Sequence, residues 1–158
     1  MKKFFPMLFL AVCFCFAFTA CSKAETEPPT DTDDNTTEIT EMYLTINSNK
    51  LKVTLAKNSS VDALVALLKQ GDITYTADDY GGFEKVGNLG HTLTRKDSQI
   101  TTSPGDVILY SGNQIVLFYG SNSWSYTRLG RIEGYTADQL KVLLGAGEGK
   151  IQVIISLE

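Results

Sequence analysis

Residues 104–130 read PGDVILYSGNQIVLFYGSNSWSYTRLG, and this stretch decides the fold. Pro104-Gly105-Asp106 is a turn. Val107 to Tyr110 is an apolar run, and Ser111-Gly112-Asn113 has the glycine chemistry of a hairpin connection. Gln114 to Tyr119 is so continuously apolar that it reads as a strand covered on both faces or nearly so. Gly120-Ser121-Asn122 breaks it. Trp124 to Leu129 alternates bulky with small or polar side chains, and Gly130-Arg131-Ile132 carries the extended chain onward. Short strands joined by glycine turns imply an antiparallel, mainly β body.

Toward the N-terminus, Tyr43–Ile46 and Leu51–Leu55 alternate on either side of Asn47-Ser48-Asn49 and form a hairpin. Ser59 with Asp62 is a capping-box variant. Val61, Leu64, Val65 and Leu68 follow at helical spacing until Gly71 stops them. Ile73–Thr76 is β-prone, whereas residues 78–90 (DDYGGFEKVGNLG) read as an irregular, glycine-rich loop. Toward the C-terminus, Thr136 with Gln139 is a second capping box. Leu140, Leu143 and Leu144 make a short helix ending at Gly145, and Ile151–Leu157 is the final strand. The expectation is seven or eight strands and two short helices, which argue for a barrel or a sandwich; two helices at separate points suit a closed or nearly closed barrel with its open ends plugged.

The head of the chain is different material. All three Cys and most of the Phe fall within the first 21 residues. Lys2 and Lys3 precede an apolar run from Phe4 to Phe18, and Thr19-Ala20 leads into Cys21. That is the layout of an export signal (residues 1–20) whose cysteine resembles the acylated residue of a bacterial lipobox. Phe18 stands where that signal usually carries Leu. Residues 21–40 then form a tether. Six acidic side chains face the single Lys23 there, with Pro28-Pro29 and few apolar residues, a composition that resists folding. The domain to be explained is 41–158. The expected setting is the bacterial cell envelope, outside the cytoplasm, with membrane lipid as a partner through Cys21.

Charge and composition exclude several functions. The chain carries 14 basic and 18 acidic side chains, a net charge of -4, which argues against a nucleic-acid partner. Beyond Cys21 there is no cysteine for a disulfide, a zinc cluster or a nucleophile, and one His cannot supply paired imidazole ligands. Asp78, Asp79 and Asp106 fit no calcium loop. No phosphate loop, paired-carboxylate site or dinucleotide fingerprint is present. No cofactor, metal or catalytic residue is expected.

The segments Gly81-Gly82-Phe83-Glu84-Lys85-Val86-Gly87, Leu89-Gly90, Pro104-Gly105-Asp106, Leu109-Tyr110, Gly112-Asn113, Phe118-Tyr119-Gly120 and the run from Asn122 to Gly130 together resemble the bacterial cyclophilin-like domain family. The resemblance covers nearly all of residues 42–158. It implies an eight-stranded barrel with a helix over each end, and it brings no established activity with it. True cyclophilins are prolyl isomerases with a Phe-His-Arg-Ile stretch and a Phe-Met-x-Gln stretch. Neither is present here, and the Gly-Gly-Phe-Glu-Lys segment stands at the matching place. Isomerisation needs a donor near the prolyl nitrogen, which only the geometry of Arg95 or Arg128 would supply.

The candidate binding residues are Phe83, Glu84, His91, Tyr119, Trp124 and Arg128. Phe83-Glu84-Lys85 among glycines reads as a ligand loop, or as charges that merely hold the loop's shape. His91 is the single imidazole. Trp124, Tyr126 and Arg128 alternate and share a strand face, either an aromatic-guanidinium groove or part of the core. With polar residues between them, that face is expected to point inward, and Glu84 is the expected partner of Arg128. The leading function is a binding module for a small molecule, peptide or protein. A weak or divergent prolyl isomerase acting on exported chains is the alternative.

Overall fold

In the computed structural model, residues 38–158 are described; the segments expected to be an export signal and, for nearly all of its length, a tether lie outside the described residues. The element order is β1 (Glu41–Ile46), β2 (Asn49–Leu55), α1 (Ser59–Leu68), β3 (Ile73–Tyr80), β4 (Glu84–Asn88), β5 (Ser98–Thr101), β6 (Asp106–Tyr110), β7 (Gln114–Phe118), β8 (Ser123–Ile132), α2 (Ala137–Leu143) and β9 (Ile151–Ser156). All pairings are antiparallel. Strands run in the order β2-β1-β9-β3-β4-β7-β6-β8, and β8 pairs back onto β2. The result is a closed eight-stranded barrel with two helices, and β5 is added as an extra strand on the first half of β8.

The hairpin residues act as their chemistry dictates. Asn47 and Ser48 hold positive φ between β1 and β2, as do Ser111 and Gly112 between β6 and β7. The capping box of α2 is present, with Thr136 accepting from the Gln139 N–H and the Gln139 side chain accepting from Thr136. For α1 the cap is Asn58, whose side-chain oxygen accepts from the Ser60 and Val61 N–H groups; Ser59 is the first helical residue. Its contact with the barrel gives Asn58 a second role, as its amide donates to the Arg128 carbonyl at 2.9 Å.

One expectation is corrected, and one strand was not foreseen. Residues 78–90 are not an irregular loop. Gly81 and Gly82, at φ of 63° and 74°, make a tight turn that joins β3 to β4, with Tyr80 opposite Glu84 and Ala77 opposite Gly87. The glycines that suggested irregularity are the turn itself. Gly87 is needed for a separate reason: a Cβ there would lie 2.3 Å from the Thr76 carbonyl and 2.5 Å from the Tyr75 ring. The strand not foreseen is β5. Its sequence, Ser-Gln-Ile-Thr, holds one apolar residue and shows no alternation, so only the edge of β8 makes it a strand.

The core fills the barrel. Leu44, Leu51, Val53, Tyr75, Leu109, Ile115, Leu117, Leu129, Val153 and Ile155 form it, closed by Val61, Leu64 and Leu68 of α1, by Leu140 of α2 and by Leu144, which caps that helix. Burial of such side chains stabilises the barrel by about 1.5–3 kcal/mol each. A second, smaller cluster is separate: Ile108, Val116, Phe118 and Tyr126, with Phe83, Val86 and Ile100 packed against it. This explains the unbroken apolar run in β7. Ile115 and Leu117 face the barrel core while Val116 and Phe118 face the second cluster.

Candidate functional site

Four neighbouring strands, β4, β7, β6 and β8, form a wall whose residues alternate between the barrel interior and its outer side. Register fixes the faces. Lys85 is opposite Leu117, and Glu84 is opposite Phe118. Lys85 therefore points in and Glu84 out. On β8, Thr127 and Leu129 point in, whereas Tyr126 joins the outer cluster. The face shared by Trp124, Tyr126 and Arg128 is thus the outer one, contrary to the inward expectation. Of the two polar residues between them, Ser125 is exposed and Thr127 is fully buried. The Thr127 hydroxyl accepts from the Lys96 N–H at 2.8 Å and donates to Asp97 at 2.6 Å.

The outer wall carries a cavity of about 380 Å³, lined by Tyr80, Glu84, Val86, Tyr110, Gln114, Val116, Asn122, Trp124 and Tyr126. Four of these are aromatic. Tyr80 and Trp124 are 66% and 56% exposed, so they stand as rims and not as packed core. Tyr126 and Tyr110 meet edge to face at 5.9 Å, and Tyr126 meets Phe118 the same way at 5.8 Å. Asn122 fixes one side. Its amide donates to the Tyr126 hydroxyl at 2.9 Å, and its backbone is clamped to Thr102 just beyond β5. Burial pushes the Tyr126 hydroxyl above its ordinary range; the Asn122 bond opposes that rise, while the nearby Glu84, Tyr110 and Tyr80 add to it.

Glu84 is the chemically unusual member. The residue is 5% exposed, and its Oε2 is covered and has no hydrogen-bond partner. Burial pushes its carboxyl up to about 7. Among the described residues, the buried side-chain polar atoms without a partner are Ser59 Oγ, the Tyr75 hydroxyl and Glu84 Oε2. Burial also pushes the Tyr75 hydroxyl far up, so it stays neutral. Only Glu84 lines the cavity and titrates near neutral pH.

The six expected site residues do not all converge. Glu84 and Trp124 line the cavity. Phe83 lies beside it, stacked on Phe118 at 6.2 Å, with its carbonyl accepting from the Tyr119 and Gly120 N–H groups. Tyr119 turns the other way, donating to Asp79 at 2.8 Å, and burial first and the Asp79 bond second push its hydroxyl up to about 12. His91 is exposed in the segment after β4, away from the cavity lining. Arg128 does not meet Glu84. It pairs with Asp106 at 2.5 Å, and Arg131 pairs with the same oxygen at 2.9 Å. A one-residue shift between β6 and β8 explains this. Val107 opposes Gly130 but Ile108 opposes Arg128, so Leu129 is extra and both arginines reach one face.

A model of the Cyclophilin-like family matches residues 44–156. This chain belongs to the cyclophilin-like family. Among curated proteins, no match to the chain is found. Two solved structures share the fold. The solution structure of the hypothetical protein AF2241 from Archaeoglobus fulgidus matches with a TM-score of 0.55 and 17% identity, over 75% of this chain and 95% of that one. The structure of McbB in complex with tryptophan matches with a TM-score of 0.54 and 15% identity, over 73% of this chain and 44% of that one. In this cyclophilin-like barrel, sequence reasoning missed Tyr80, Tyr110, Gln114 and Asn122 as cavity residues. Alternation from Trp124 and the Ser111-Gly112 turn could have placed Tyr110 beside Tyr126, but nothing local signals that Tyr80 crosses to Glu84.

Proposed function

We propose that this cyclophilin-like chain is a non-enzymatic binding module, held on the outer side of a bacterial membrane through an acylated Cys21. Its partner is a small molecule, a peptide or a protein segment that enters the outer-wall cavity. One observation carries this reading. Four aromatic rings and a buried, unpartnered carboxyl surround a space of about 380 Å³ outside the barrel core. Aromatic walls with a few polar groups are the usual makeup of a ligand pocket. The exposed rims of Tyr80 and Trp124 add nothing to the core that would otherwise explain them.

Prolyl isomerisation needs a cationic donor beside the ring. Arg95 is engaged by Asp97, with Nε donating at 2.8 Å, and Arg128 is engaged by Asp106. Neither lines the cavity. A protease-coupled proline peptide assay on the full chain is expected to show no acceleration. Turnover abolished by Arg128→Ala would overturn the binding reading in favour of an isomerase. The anchor has its own test: labelled palmitate should enter the wild-type chain and not Cys21→Ser.

A further inference from the structure

We propose that the occupant of the outer-wall cavity presents a protonated amine, whose N–H groups donate to the Glu84 carboxylate while its carbon frame lies against Tyr80, Tyr110, Trp124 and Tyr126. This rests on the binding reading and names its ligand class.

Three features of the site combine to favour a cation over a neutral or anionic group. First, Glu84 is 5% exposed as a residue and its covered Oε2 has no protein donor, so the chain leaves a carboxyl acceptor on this wall unmatched. Second, four aromatic side chains line the space, and the electron-rich faces of aromatic rings attract organic cations. Third, no Lys, Arg or His lines the cavity. Cations on the strands of this wall are committed elsewhere. Lys85 points inward to Asp79, and Arg128 is held by Asp106. An anion would meet a carboxyl and four rings with nothing to balance its charge. A quaternary ammonium would satisfy the rings but could not donate to Glu84, which selects an amine carrying hydrogens.

Binding is coupled to a proton. The titratable groups around Glu84 are Tyr80 on β3, Tyr110 on β6 and Tyr126 on β8, with Tyr119, turned toward Asp79, still within reach of its charge. Asp78, exposed opposite Val86 on the same side of β3, is the other carboxylate nearby. Free Glu84 holds its proton up to about pH 7, and an ammonium group favours the ionised form. The amine therefore displaces that proton, and affinity rises by about tenfold between pH 6 and pH 8.

Trp124 is the single Trp of the chain and lines the cavity, so its fluorescence reports occupancy directly. The full chain is titrated with phenethylammonium, with the neutral 2-phenylethanol and with tetramethylammonium, and then with a capped Gly-Lys-Gly peptide. The last distinguishes a peptide-borne amine from a free one. Phenethylammonium is expected to saturate the Trp124 signal at least about tenfold more tightly than 2-phenylethanol at pH 8, with the advantage lost in Glu84→Gln. Tyr110→Leu, which keeps an apolar wall, should weaken the amine more than the alcohol, and it serves if Glu84→Gln does not fold. Equal affinity of amine and alcohol, or an affinity independent of pH, overturns the cation assignment while leaving a binding cavity. If no probe of any charge moves Trp124 emission, the binding reading fails with it.

Discussion

Glu84 and Lys85 are adjacent in β4, both buried, and opposite in every other respect. Lys85 points into the barrel and is fully enclosed. Its ammonium lies 3.0 Å from Asp79 and donates to the Gly149 carbonyl at 2.5 Å. Asp79 in turn accepts from the Tyr119 hydroxyl and the Gly147 N–H. Burial would raise the Asp79 carboxyl, but these bonds outweigh it and hold it below the ordinary carboxylate range. Glu84 points out, has no protein donor at Oε2, and is pushed up to about 7. One pleat separates a charge the fold has matched from one it has not. A buried charge that the protein satisfies is explained by structure, whereas one left unmatched beside a cavity calls for a ligand.

The largest effect should come from breaking the matched side. Lys85→Met keeps the apolar stem but strands Asp79 and the Gly149 carbonyl. It should cost about 3 kcal/mol, read as a fall of roughly 10 °C in Tm. A cost below 1 kcal/mol would show that the inner pair is not what holds the loop of Gly145–Gly149 to β3. Next comes Asp106→Ala, which releases Arg128, Arg131 and the Ser103 N–H at once. A loss of about 2 kcal/mol in urea unfolding is expected, because both arginines remain partly solvated.

Glu84→Gln should act in the other direction and only at high pH. The folded value of about 7 lies above the ordinary 4.5, so the folded state keeps a proton that the unfolded state has released. Wild-type stability is therefore undiminished below about pH 4.5, declines as pH rises toward 7, and then levels off. At pH 8 the variant should be more stable by about 1–3 kcal/mol, and at pH 4 it should match wild type. Asp79 has the opposite sign: its contribution is present above the ordinary carboxylate range and is lost as pH falls through its depressed value. Acid unfolding of Asp79→Asn should therefore be less steep than that of wild type. The smallest effect is expected from Arg128→Ala, within about 1 kcal/mol, since Arg131 still holds Asp106 and Arg128 is 38% exposed.

The barrel was legible because its strands alternate or are continuously apolar, and because Asn47-Ser48 and Ser111-Gly112 are turn residues that demand positive φ. The β3–β4 hairpin was not, since its strands carry Asp78, Asp79, Glu84 and Lys85 where alternation should show apolar residues. Lys85 and Asp79 are matched only across the hairpin, Asp78 is exposed, and Glu84 is left without a donor at Oε2, none of which the local pattern signals. Glu84 and Trp124, singled out from their setting in glycine-rich and aromatic segments, both line the outer-wall cavity. Arg128 was placed with the wrong carboxylate because the extra residue Leu129 breaks the two-residue period, and a bulge leaves no mark that single-chain alternation can detect. Tyr80 and Asn122 reach the cavity only through closure of the barrel wall and the addition of β5.

The contrast within β4 is tested most directly by titrating the Glu84 carboxyl itself. Carbon-13 NMR of the full chain labelled at glutamate side chains, with Glu84→Gln to assign the resonance, reads its protonation alone. A midpoint near 7, moving lower when phenethylammonium is added, is the expected result. A midpoint near 4.5, unchanged by the amine, would mean that Glu84 is as well solvated as any surface glutamate and that the outer wall holds no unmatched charge.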